Sequence, residues 1–230
     1  MSDAFTDAYV GLDSRMKIIE IVTNNLANAQ TTGFKRDFGR VLESQQLLDV
    51  GTTLDTSVGD ITSTQNPLDV AIDGEGFFAI QTPAGIRFTR NGSFSLNESG
   101  DLVTKQGMKV LSSSGSPINA IGNNVGVQDG GMVTVDGNEV ATLKIVTFRN
   151  PNLLQKEGSN QLAWIGPTDG VQDVDQPRVK SGALERSNVN SMNEIIQLMG
   201  AYREFESVQK TLKTLDGDMN AKLIEELGRI

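Results

Sequence analysis

The chain has 230 residues and contains neither cysteine nor histidine. The first absence excludes disulfides, thiolate nucleophiles and cysteine-ligated metals. The second removes the commonest general base and the commonest transition-metal ligand. Together they argue against a hydrolase triad, a zinc site or a redox role, and leave an enzyme only carboxylate chemistry. Aromatic residues are few, with nine Phe, two Tyr and one Trp. No stretch is long and apolar enough to span a membrane. Asp3 and Asp7 precede an amphipathic pattern where a secretory signal would have a basic segment and an apolar run. The expectation is a chain without catalysis, cofactor or metal. It either stays in the cytoplasm or leaves by a route that needs no cleaved signal.

Positive charge is also short, with 20 Lys and Arg against 29 Asp and Glu, a net charge of −9. Residues 41–190 hold 10 basic against 17 acidic side chains, whereas residues 1–40 balance at 5 against 5. The acidic excess therefore falls on the middle of the chain, where it repels nucleic acid and anionic lipid. The near-neutral ends suit packing.

What those ends do have is helical periodicity. Phe5, Tyr9, Leu12, Met16, Ile19, Val22 and Leu26 recur at steps of three or four. So do Met192, Ile195, Met199, Tyr202, Phe205, Val208, Leu212, Leu215, Met219, Leu223 and Leu227. Such spacing places each set along one helix face that must be buried against something. The two stripes are expected to pair, and the longer one to keep a surplus for partners. The first helix is expected to start at Ser2 or Asp3 and to end near Asn28, ahead of a left-handed turn at Gly33. The last is expected to start at Ser191 as cap, with Glu194 completing a capping box.

Between the stripes the pattern is strand and turn. Residues 35–50, with Phe38, Val41, Leu42 and Leu48, read as a short helix, and the polar stretch to Asn66 reads as a connector. Leu68, Val70 and Ile72 alternate with polar or small residues as a half-buried strand does. Strands are also expected at 77–80, 86–90, 93–96, 102–104, 109–111, 125–127, 132–135 and 140–148. Asn91-Gly92 is the sequence signal of a type I′ turn joining 86–90 to 93–96. Leu143 and Ile145 against Val146 and Phe148 predict a segment buried on both sides.

Several patterns resemble binding motifs and fail on context. Gly74-x-Gly76-x-x-Ala79 is a loose dinucleotide fingerprint, but strand follows it where a helix N-terminus is needed. Asp169, Asp173 and Asp175 lack the spacing and glycine of a calcium loop and read as a solvated acidic stretch.

Asn24-Asn25-Leu26-Ala27-Asn28, followed by Thr31-Thr32-Gly33-Phe34-Lys35-Arg36, resembles the N-terminal signature of the bacterial flagellar rod and hook proteins. Pro67-Leu68-Asp69-Val70-Ala71-Ile72, Gly74-x-Gly76-Phe77-Phe78 and Phe88-Thr89-Arg90-Asn91-Gly92-Ser93-Phe94 are similar to the start of that family's β domain. Ser181-Gly182-Ala183-Leu184-Glu185 and Ser187-Asn188-Val189-Asn190 resemble the approach to its C-terminal helix.

The resemblance implies an α+β protein: a discontinuous, coiled-coil-like helical domain from both termini and a small antiparallel β domain. The expected bounds are 1–40 and 191–230 for the helical domain, 41–66 for a connector, 67–177 for the β domain and 178–190 for a return linker. It implies a self-assembling structural subunit of a helical tube that transmits motor torque. The site would be the periplasmic rod of the flagellar basal body, reached through the flagellar type III export apparatus. Partners would be copies of itself and other rod or axial proteins, with no nucleic acid and no small-molecule substrate. The short chain and the brief interval between Arg40 and Asp69 favour the proximal-rod type, with distal-rod or hook-type proteins as the alternative. The expected assembly interface is Leu12, Met16, Ile19, Asn24, Asn25, Leu26, Asn28, Phe34, Ile195, Met199, Tyr202, Phe205, Leu212, Leu215 and Met219. A reading from another class stays open: an acidic β-domain binding module dimerised by its terminal helices.

Overall fold

A computed structural model describes residues 2–44, 47–158 and 160–227, with side chains described at 9–39, 51–158, 160–214, 216 and 217. The side chains of Phe5, Val41, Leu42, Leu48, Leu215, Met219, Leu223 and Leu227 lie outside the described residues. Helix α1 (Ser2–Ala27) opens the chain and helix α2 (Ser191–Leu227) closes it, with antiparallel strands between them. This is the α+β class that the sequence predicts. The chain divides into two compact units. One joins Met1–Ala27, Asp37–Thr53 and Asn190–Ile230, and the other joins Asn28–Arg36 and Leu54–Val189. Among the described residues no helix is long and apolar enough to cross a membrane.

The second unit is built on a nine-stranded sheet in which Phe77–Thr82 is central. That strand pairs with Gly85–Thr89 on one side and with Lys109–Val110 and Ile145–Phe148 on the other. Its side chains alternate between two cores, as period-two geometry requires. Phe78 and Ile80 join Val70, Ile72, Phe94, Leu102, Val110 and Leu143. Phe77 and Ala79 join Phe88, Val146, Phe148, Leu154 and Leu162 on the other face. Burying each large side chain there stabilises the fold by about 1.5–3 kcal/mol. Phe148 anchors the second core, edge-on to Phe88 at 4.8 Å and stacked on Trp164 at 4.9 Å between ring centroids. Leu143 and Ile145 lie in the first core and Val146 and Phe148 in the second, so this segment is buried on both sides.

Four local expectations are corrected. The short helix expected over 35–50 is instead a two-stranded sheet of β1 (Asp37–Ser44) and β2 (Leu47–Leu54). Gly39 and Gly51 disfavour helix by ~1 kcal/mol each, and the β-branched Val41, Val50, Thr52 and Thr53 favour strand. Asn91-Gly92 does not make a hairpin. Gly85–Thr89 pairs back on Phe77–Thr82, with Pro83-Ala84 as the turn, and Phe94–Leu96 pairs with Leu102–Thr104. Gly92 serves a close approach: a Cβ there would lie 1.8 Å from the Val70 carbonyl oxygen. The expected strand 140–148 is two strands, Asn138–Thr142 in a three-stranded sheet and Ile145–Phe148 in the large one. The cap of α2 is Asn190, whose Oδ1 accepts from the Asn193 amide at 3.1 Å, while Glu194 turns inward and is fully buried.

The stretches read as connector and return linker hold paired strands. Ile61–Ser63 pairs with Ala183–Glu185, and Val70–Ile72 pairs with Val179–Ser181. The last strands of the second unit therefore close onto its first.

Candidate assembly interface

In the helical unit α1 and α2 run antiparallel. Arg15 Nε meets Glu204 Oε2 at 2.9 Å, and ten residues further along α1, Asn25 Nδ2 meets Glu194 Oε2 at 3.3 Å, ten residues back along α2. The residues sealed along the helices are not the large ones of the two stripes. Ser14, Val22, Asn25, Glu194 and Ala201 are buried. Ser14 turns its hydroxyl back to the Val10 carbonyl at 2.9 Å, which leaves only a small side chain between the backbones.

Several of the large apolar side chains face outward. Tyr9 is 62% exposed and Met192 67%, and Met16, Ile195, Met199 and Tyr202 are exposed as well. Leu12, Ile19, Leu26, Phe205 and Leu212 are half-buried. The two helices pair, with Val22 of the first stripe buried beside these small and polar side chains. The exposed apolar area is wider than the expected surplus on the longer stripe, since Tyr9 and Met16 of the first are open too. Ile196, 62% exposed, belongs with this surface and was missed. Its signal is the adjacent pair Ile195-Ile196, which widens the stripe beyond a strict seam.

Two of the expected interface residues, Asn25 and Phe34, are buried within the chain. Asn25 behaves as a strand partner: its Oδ1 accepts from the Asp37 amide at 2.9 Å and its Nδ2 donates to the Asp37 carbonyl at 2.7 Å. It joins the end of α1, the start of β1 and the first turn of α2. Phe34 is 1% exposed in the β-rich unit, with Lys156 Nζ 3.7 Å from its ring centroid. Asn24 is exposed, and Asn28 is half-buried with its Oδ1 accepting from the Thr31 hydroxyl at 3.1 Å. Leu215 and Met219 lie outside the described side chains.

A second constellation, absent from the expected site, sits inside the β-rich unit. Glu185 is buried between two cations. Its Oε1 accepts from Lys35 Nζ at 2.6 Å and from the Gly59 amide at 2.9 Å, and its Oε2 accepts from Arg90 Nε at 2.7 Å. The Arg90 guanidinium also donates to the carbonyls of Ile72, Gly74 and Gly76, so the Gly74-x-Gly76 turn cradles an arginine. Lys35 Nζ donates to the Ser57 carbonyl too. Burial pushes the Lys35 ammonium below its usual pKa, and the attraction of Glu185 works against that shift. Alongside, Asn188 accepts from the Arg36 amide at 2.7 Å and donates to the Asp55 carbonyl at 3.0 Å. Gly33, at φ +68°, brings the chain so close that a Cβ would lie 2.4 Å from the Asn91 nitrogen. The sequence blocks around residues 31–36, 88–94 and 181–190 thus meet in one buried cluster. Its signal was Glu185 sharing a strand face with the buried Ala183, where a solvated carboxylate is not expected.

Three family models match the chain. One described as the flagellar hook protein FlgE/F/G D1 domain covers residues 71–147. One for the flagellar basal body rod FlgEFG protein C-terminal covers 180–226, and one for flagella basal body rod proteins covers 13–35. The chain is similar to the flagellar basal-body rod protein FlgF of Caulobacter vibrioides, 33% identical over 96% of this chain and 98% of that protein. It is 32% identical to FlgF of Rhizobium meliloti over 97% of this chain and 98% of that protein. To the rod protein FlgG of Buchnera aphidicola subsp. Schizaphis graminum it is 30% identical, over 90% and 93%.

Proposed function

The chain belongs to the flagellar basal-body rod protein family, and from that premise we propose that it is a structural, non-enzymatic subunit of the proximal rod. In this reading it assembles with copies of itself and other axial proteins into a tube that carries torque. It reaches the periplasm through the flagellar type III export apparatus. The observation that carries the proposal is the open apolar surface of the helical pair: Tyr9, Met16, Met192, Ile195, Ile196, Met199 and Tyr202. Burying such side chains against neighbours would stabilise the assembly by about 1.5–3 kcal/mol each. Neighbours on different surfaces of one subunit make contacts that propagate as a helix instead of closing. The proximal position is supported by the near-complete length match with FlgF relatives and by the short interval of about 30 residues between Arg40 and Asp69. A distal-rod position is the second reading, favoured by the similarity to FlgG.

Quantitative mass spectrometry of purified hook–basal bodies from the native bacterium tests both. A few copies per particle is the expected result. A much larger number moves the chain to the distal rod, and absence from the particle overturns the rod assignment.

A further inference from the structure

We propose that Lys35, Arg90 and Glu185 form an ionic latch that closes the first and last segments of the β-rich unit onto each other, with Glu185 as the closing element. The three charges come from far apart in the chain: Glu185 lies 150 residues from Lys35 and 95 from Arg90. All three side chains are at most 2% exposed. Glu185 is the carboxylate bonded to both cations, so without it two positive charges remain buried beside each other. A buried charge stripped of its partner is strongly destabilising, far more than the net worth of the intact pair.

The same residue also holds the backbone around it. The Gly33 amide donates to the Glu185 carbonyl at 2.8 Å, and the Gly59 amide donates to its carboxylate. The segment that follows α1 and the one that precedes α2 therefore close as a single event. The two apolar cores contain none of the three latch residues. Loss of the latch should then open residues 28–36 and 55–59 while the sheet holds, a sub-global opening.

Hydrogen exchange on the full-length chain reads this directly. In Glu185→Gln the amides of Gly33 and Arg36 should lose protection by roughly a hundred- to a thousand-fold. Those of Ala79 and Leu111, bonded within the sheet, should change by less than about threefold. Unchanged protection at Gly33 and Arg36, or an equal loss across the sheet, overturns the latch. Should Glu185→Gln fail to fold, the double variant Lys35→Met with Glu185→Gln decides, because it restores the net charge of the native cluster. Recovery of folding and of most protection at Gly33 is expected. A double variant no better than Glu185→Gln overturns the proposal.

Discussion

Two residues show how narrowly this fold is specified. At Gly92 any side chain would drive into the Val70 carbonyl, whose own amide donates to the Gly92 carbonyl at 3.0 Å. Relief would require separating two backbones that are bonded to each other. Gly92→Ala should therefore destabilise the β-rich unit by more than ~3 kcal/mol in urea unfolding. A loss under ~1 kcal/mol would show that the chain can yield there. Lys35 makes a prediction in pH. Its folded pKa lies below the ordinary 10.5, so between the lowered value and 10.5 the unfolded chain holds a proton that the folded chain has begun to release. Stability contributed through Lys35 should therefore rise with pH across that window. The difference in stability between the native chain and Lys35→Met should move in favour of the native chain as pH climbs toward 10.5. A difference flat in pH would mean that Lys35 keeps its ordinary pKa in the fold.

Among the elements, the two helices divide their surface by size. Where α1 and α2 run together the buried positions are small or polar apart from Val22, and Tyr9, Met16, Met192, Ile195, Met199 and Tyr202 are turned out. Met199 and Ala201 stand two positions apart and should respond in opposite ways. Met199→Asp should cost monomer stability no more than ~1 kcal/mol, because more than half of the side chain is already exposed, yet abolish incorporation into the rod. Ala201→Leu should overpack the helix pair and lower its stability by about 1–3 kcal/mol. Thermal unfolding followed by circular dichroism, with a motility assay, separates the two. Normal motility of Met199→Asp would count against the exposed face as the assembly surface. The helices also differ in length, 26 residues against 37, so α2 is longer than α1 by ~16 Å.

For the whole molecule the two units predict how the chain comes apart. The β-rich unit includes Asn28–Arg36 as well as Leu54–Val189, because Lys35, Arg36 and Phe34 are bonded to Glu185 and Asn188. Limited proteolysis of the free protein should therefore yield a core that begins near residue 28 and ends near residue 189, with any internal cut in 37–53. A core that sheds residues 28–36 would mean that this segment is held only weakly.

Much of this is legible in the sequence alone. The helix at each end, the strands between and the resemblance all follow from local periodicity and short motifs, which the sequence carries directly. The sequence also determined what the protein lacks chemically, since no fold can supply a thiol or an imidazole the chain does not contain. Tertiary structure decided which way each pattern faces. Asn91-Gly92 has the composition of a hairpin turn, yet its glycine answers the distant Val70 carbonyl. Asn25 and Phe34 sit in a motif that reads as interface, yet both are used up inside the chain. Lys35, Arg90 and Glu185 are scattered over 150 positions, and only folding makes them neighbours. Periodicity records that a side chain must be buried or exposed; which residue it meets depends on closing long loops, and that is settled by packing of the entire chain.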